Sequence, residues 1–67
     1  MAQFARFNDG GFVLHKALGK RLSAWYDADG NLLDSVLKDS LGRQRRPSRG
    51  DLEALKRLGR VYRNTIS

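Results

Sequence analysis

The chain has 67 residues, 40% hydrophobic and 30% charged, with 13 Lys and Arg against 7 Asp and Glu, one His and no Cys. That composition describes one small globular domain and excludes disulfides and thiolate zinc sites. No apolar run approaches the roughly 18 residues of a membrane span, and no charged-then-apolar leader opens the chain, so a soluble cytoplasmic protein is expected.

Gly-rich breaks at Asn8-Asp9-Gly10-Gly11, Asp27-Ala28-Asp29-Gly30-Asn31 and Ser40-Leu41-Gly42 divide the chain into segments 2–7, 12–18, 20–26, 32–39 and 50–64. A basic, Pro-containing stretch runs from Arg43 to Arg49. Phe4 and Phe7 predict a short strand entering the first turn. Segment 12–18 has a length natural for a second strand. Residues 20–26 and 32–38 flank Asp29-Gly30-Asn31, whose chemistry suits a hairpin loop. As a strand, 20–26 puts Leu22, Ala24 and Tyr26 on one face and Arg21, Ser23 and Trp25 on the other. One of Trp25 and Tyr26 then belongs to the core, and burial is the expectation for Trp25.

A helical reading of the same region stays open. Leu14, Leu18, Leu22 and Trp25 form a stripe, as do Leu32, Leu33, Val36, Leu37 and Leu41, with Asn31 as N-cap and Gly42 just past the end. Taken alone, 32–41 has helical periodicity. The Gly punctuation and the compact Asp/Gly/Asn turn favour the sheet. The expected fold is α+β, a three- or four-stranded antiparallel meander with one C-terminal helix; the alternative is a three-helix, helix-turn-helix-like domain.

The helix is predicted over about 49–63. Ser48 followed by Asp51 resembles a capping box with Asp in place of Glu or Gln. Leu52, Leu55, Leu58, Val61 and Tyr62 fall on one stripe, and Lys56, Arg57, Arg60 and Arg63 lie on the flanks and opposite side. Gly59 weakens the helix by roughly 1 kcal/mol relative to Ala, and its presence suggests close packing against a neighbour.

Tyr26-Asp27-Ala28-Asp29-Gly30-Asn31-Leu32 resembles the turn of YD repeats in Rhs-type shell proteins, and Lys38-Asp39-Ser40-Leu41-Gly42-Arg43 resembles the turn that follows it. The resemblance covers about 18 residues in one copy; it implies a β-hairpin and no function. Gly19-Lys20-Arg21-Leu22-Ser23-Ala24-Trp25-Tyr26-Asp27, with a Gly-containing turn, a further strand and a C-terminal helix, is similar in layout to the arm-site DNA-binding domains of tyrosine-type integrases. In that family a three-stranded sheet enters the major groove. By position, the resemblance places Lys20, Arg21, Ser23 and Trp25 on or near the reading surface. This chain departs from the family with Asp34 on the second hairpin strand and with its cations gathered after residue 42.

Charge is the strongest functional signal. Residues 1–42 hold five Lys/Arg and five Asp, whereas 43–67 hold eight Lys/Arg against Asp51 and Glu53, so the whole net charge of +6 lies in the last 25 residues. Such asymmetry points to a polyanion, and seven of those eight cations are arginine, whose planar fork matches phosphate. Arg43, Arg45, Arg46 and Arg49 form a basic arm over 43–49 leading into the helix, where they can track phosphates or enter a minor groove. With Lys20, Arg21, Trp25, Lys56, Arg57, Arg60 and Arg63 they make up the expected nucleic-acid-binding surface.

No catalytic arrangement is visible around His15, and no zinc spacing or phosphate-cradling Gly loop occurs. Asp27, Asp29 and Asn31 fail the EF-hand pattern, because Gly30 stands at the fourth position and Lys38 at the twelfth. So small a domain is expected to leave no room for a substrate pocket of roughly 300 Å³. The expected protein is therefore non-enzymatic and without cofactor or metal. It is read as a DNA-binding regulator or accessory factor of a plasmid, phage or other mobile element, with DNA favoured over RNA as partner. The alternative is an adaptor or inhibitor that docks its basic surface on an acidic protein. No membrane partner is expected. Because a core of this size supplies only about 3–5 kcal/mol and no staple exists, a homodimer or higher oligomer is expected as well.

Overall fold

A computed structural model of the chain describes residues 3–66. Five antiparallel strands follow one another as a meander: β1 (Gln3–Arg6), β2 (Phe12–His15), β3 (Leu22–Tyr26), β4 (Leu32–Lys38) and β5 (Gln44–Arg45). One helix, α1 (Arg49–Ile66), then packs across one face of the sheet. The architecture is α+β, and the three-helix alternative does not hold.

Three hairpin loops of one design join these strands. In Phe7–Gly11, Asp27–Asn31 and Asp39–Arg43 the first N–H donates to the fifth carbonyl, and the fourth N–H donates back to the first carbonyl. The fourth residue is Gly10, Gly30 or Gly42, each with φ between 79° and 92°. That left-handed geometry favours glycine. Asp27 and Asp39 reinforce their loops through carboxylate oxygens that accept N–H bonds from Asp29 and Asn31, and from Leu41 and Arg43.

The core face is built from Phe12 and Leu14 on β2 and Leu22, Ala24 and Tyr26 on β3, closed by Ala17 and Leu55. Phe12 pairs with Tyr26 and Leu14 with Ala24, so the alternation of β3 is as expected. Tyr26 is the buried aromatic; its hydroxyl donates to the Leu55 carbonyl of α1 at 2.6 Å. Trp25 lies half-buried on the opposite face, against the expectation of burial, because α1 covers the Tyr26 side.

Other corrections have local causes. Segment 12–18 is not all strand: β2 ends at His15, and Ala17–Gly19 forms a 3₁₀ turn that buries Ala17, with Lys16 and Leu18 at φ of 55° and 58°. Segment 32–38 is the strand expected of it, and its helical periodicity has a local cause as well. Trp25 pairs with Asp34 and Tyr26 with Leu32, leaving Leu33 as a bulge residue that is 66% exposed. The extra residue breaks the two-residue alternation. The arm at 43–49 is not all irregular, since Gln44 and Arg45 pair with Lys38 and Leu37 as the fifth strand.

The helix begins as expected: Ser48 Oγ accepts the Asp51 N–H at 3.2 Å. It runs three residues past the expected end at 63. Leu55, Leu58 and Tyr62 are turned toward the core and Leu52 is half-buried, but Val61 is 57% exposed. Gly59 is buried in its place against Tyr26 and Gly30.

Candidate nucleic-acid interface

The face of the sheet away from α1 carries Val13 and His15 from β2, Ser23 and Trp25 from β3, and Asp34, Val36 and Lys38 from β4. His15 Nδ1 lies 2.9 Å from Ser23 Oγ, and the Trp25 ring meets the His15 ring edge-on at 6.4 Å. Arg21, in the loop entering β3, is exposed and closes one end of this face with Lys38. His15, Lys16, Arg21, Ser23, Val36 and Lys38 line an open hollow of about 350 Å³. The hollow lies open to solvent along the sheet surface. Arg21 and Trp25 therefore do share a surface.

Lys20 is oriented elsewhere. Its Nζ lies 2.9 Å from Asp51 Oδ1, across 31 residues of sequence, and ties the entrance of β3 to the first turn of α1. That contact, followed by the Ser48 hydroxyl and N–H, holds the Asp51 carboxyl below its ordinary pKa.

The arm is divided by Asp39. Arg43 Nε and Arg45 Nε both reach Asp39 Oδ2, at 3.1 and 3.2 Å. The Arg43 N–H, ahead of the Leu41 N–H and the two guanidinium groups, keeps the Asp39 carboxyl in its charged form below the usual range. One carboxylate between two arginines leaves a net positive charge, with both guanidinium groups more than half exposed. Arg46 lies past β5, beside Gln44, Pro47 and the β4 edge at Asp34–Val36. Arg49 is the first residue of α1 and is exposed.

On α1, Lys56, Arg57, Arg60 and Arg63 are all exposed. Lys56 and Arg60 border a cleft of about 220 Å³ with Gly30, Asn31 and Leu32, while Arg57 lies on the other flank beside Leu18, Leu58 and Val61. These cations and the Arg21–Trp25 surface lie on opposite layers of the domain. The structure thus splits the expected interface into a helix surface and a sheet surface. Sequence reasoning missed His15, Lys16 and Lys38 as part of the latter; for His15 and Lys38 the signal was their strand parity with Val13 and Val36.

The acidic residues are used differently from the basic ones. Asp9, Asp27, Asp34, Asp39 and Asp51 each accept a backbone N–H bond, from the chain itself or through its Ser48 neighbourhood in the case of Asp51. Among the described residues, ion pairs involve only Lys20, Arg43 and Arg45. No group of three or more potential metal ligands occurs among them, and no helix is long and apolar enough to cross a membrane. No family model, curated protein or solved structure matches this chain.

Proposed function

We propose that the chain is a small, non-enzymatic, cytoplasmic nucleic-acid-binding protein, with duplex DNA favoured over RNA. Phosphates are held by the exposed cations of α1, Arg49 among them, together with Arg46. One observation carries this reading. Asp9, Asp27, Asp34, Asp39 and Asp51 are engaged in turns and at the helix start, whereas Arg49, Lys56, Arg57, Arg60 and Arg63 are exposed and take part in none of the ion pairs among the described residues. Arg49 to Arg63 spans about 21 Å of helix axis, enough to run beside many charges of a duplex that carries one per about 1.7 Å.

The sheet surface around Arg21 and Trp25 is the base-reading candidate, in keeping with the integrase arm-site layout. A single duplex engages one layer of the domain at a time, so the two surfaces make separable contributions. The alternative partner is an acidic protein; the half-buried Trp25 and Val36 on an uncovered sheet face favour it, because aromatic residues in partly apolar patches are common at protein interfaces.

Titration of labelled duplex DNA, single-stranded DNA and RNA at two salt concentrations tests the reading. Log K should fall with log salt at a slope near −0.9 per neutralised phosphate, about −4.5 for five helix cations. Replacing Lys56, Arg57, Arg60 and Arg63 together by Gln should flatten the slope by about 3.5 units. Replacing Arg21 or Trp25 should instead reduce discrimination between duplex sequences and leave the slope nearly unchanged. Unchanged duplex affinity in the fourfold variant overturns the helix surface as phosphate site.

A further inference from the structure

The edge of the sheet at β1 differs from the edge at β5. On the far side, β5 covers the end of β4, and the Leu33 bulge interrupts the remainder, which are two devices that block strand addition. Strand β1 carries neither device, and all four of its residues are exposed.

Its outward hydrogen-bonding groups can be assigned. The Phe7 N–H donates to Gly11 O, and β1 pairs Arg6 with Phe12, Ala5 with Val13 and Phe4 with Leu14. In an antiparallel ladder, residues alternate between bonding the partner strand and pointing away from it. Phe7, Ala5 and Gln3 therefore bond β2. The N–H and C=O groups of Phe4 and Arg6 point outward to the open edge.

The apolar surface of the chain collects on the same side. Phe4 and Phe7 are 38% and 45% exposed, and Phe4 stacks on Tyr62 of α1 with ring centroids 6.0 Å apart. Next to Tyr62 on the helix, Val61 lines a shallow groove with Leu18 and Leu58.

We propose that β1 pairs with β1 of a second copy of the chain, antiparallel about a two-fold axis at Ala5, joining two five-stranded sheets into one. Three self-pairings use outward groups on both strands. Centring on Arg6 sets like charges opposite each other, and centring on Phe4 calls on residue 2, which lies outside the described strand. Centring on Ala5 pairs Phe4 with Arg6 of the second copy on both sides of the axis. Each such pair exchanges both main-chain bonds and places a guanidinium beside an aromatic ring. At the axis itself, two alanine methyls face each other on the uncovered side of the sheet, where a non-bonded pair brings side chains closest. Each copy carries +6, so their repulsion is screened by salt and the dimer tightens as salt rises. Phosphate binding has the opposite salt dependence, and the proposal stands independently of it.

Sedimentation equilibrium from about 1 to 500 μM, at about 0.1 and 0.5 M salt, should show a monomer–dimer equilibrium shifted toward dimer at the higher salt. Arg6→Pro removes an outward N–H that the monomer does not use and should weaken the dimer at least tenfold. Ala5→Lys and Ala5→Glu should each be monomeric alone, because like charges meet at the axis, whereas an equimolar mixture should form a heterodimer. If Arg6→Pro loses its native circular dichroism, the Lys/Glu mixture decides. A monomer throughout the wild-type series overturns the proposal, as does a dimer that all three substitutions leave unchanged.

Discussion

Gly30 and Gly59 occupy each other's side-chain space. A Cβ placed on Gly59 would run into the Gly30 carbonyl oxygen and come within 2.9 Å of the Tyr26 ring, while one on Gly30 would lie 2.7 Å from the Gly59 carbonyl oxygen. The β3–β4 turn thus sits directly on the helix. The missing side chain at Gly59 is what brings α1 down onto Tyr26, close enough for the Tyr26 hydroxyl to reach Leu55 O.

Gly59→Ala should accordingly destabilise the domain although alanine favours helix. The propensity gain is about 1 kcal/mol, against about 1–3 kcal/mol or more for forcing atoms into packed space. Gly50→Ala is the contrasting variant: its Cβ would meet only Ser48 Oγ at 3.9 Å, and a gain of about 0.5 kcal/mol is expected. Urea midpoints measured for both variants should move in opposite directions.

Tyr26→Phe removes the buried bond to Leu55 O and should cost about 1–2 kcal/mol in the same measurement. The Tyr26 hydroxyl also sets the alkaline limit of the fold. Burial, and secondarily Tyr62, push its pKa from 10.0 up to about 12. The neutral phenol is the form the fold accepts, so its contribution is complete below pH 10 and is lost as pH rises through about 12. Tyr26→Phe should remove most of the stability loss in that window, as followed by circular dichroism.

On the acid side, Asp27, Asp39 and Asp51 all have lowered pKa values. The leading causes are the Asn31 N–H, the Arg43 N–H and the Lys20 ammonium respectively. Their folded values lie below the ordinary 3.8, so their contribution is present above that pH and lost as pH falls below it. Urea midpoints should hold down to about pH 4 and fall below it. Asp51→Asn should make the decline shallower.

Asp39→Asn retains a side-chain oxygen for the Leu41 and Arg43 N–H groups while removing the charge shared by Arg43 and Arg45. The hairpin should survive, with a stability change within about 1 kcal/mol, as exposed pairs contribute little. If the arm also lies near phosphates, the salt slope for duplex DNA should steepen by about one to two units. The same titration as for the helix variants reads this out.

The hairpin turns were legible residue by residue. The β4–β5 loop, Asp39-Ser40-Leu41-Gly42-Arg43, repeats the spelling of Asp27-Ala28-Asp29-Gly30-Asn31, with Asp first and Gly fourth, and its geometry is the same. The signal for a fifth strand was therefore present. A strand of only Gln44 and Arg45 has no alternation of its own, so the arginines read as an arm. Leu32-Leu33 kept a helical alternative open for a segment that is a strand, because a bulge inserts one residue and shifts the apolar pattern toward helical spacing.

Local chemistry was enough to place the turns, the helix start at Ser48, the alternation of β3 and the concentration of charge after residue 42. These depend on neighbours within a few positions, where side-chain type and backbone preference act directly. It took long-range packing to choose between the two faces that alternation defines. Gly59 let the helix settle on Tyr26, which left Trp25, Arg21 and Lys38 on the uncovered side. The fate of individual charges was likewise beyond local reading, since Lys20 meets Asp51 only after the sheet and helix have come together across 31 residues. Seven arginines after residue 42 announced a basic surface; the packing of sheet against helix placed Arg21 and Lys38 on the opposite layer from the cations of α1.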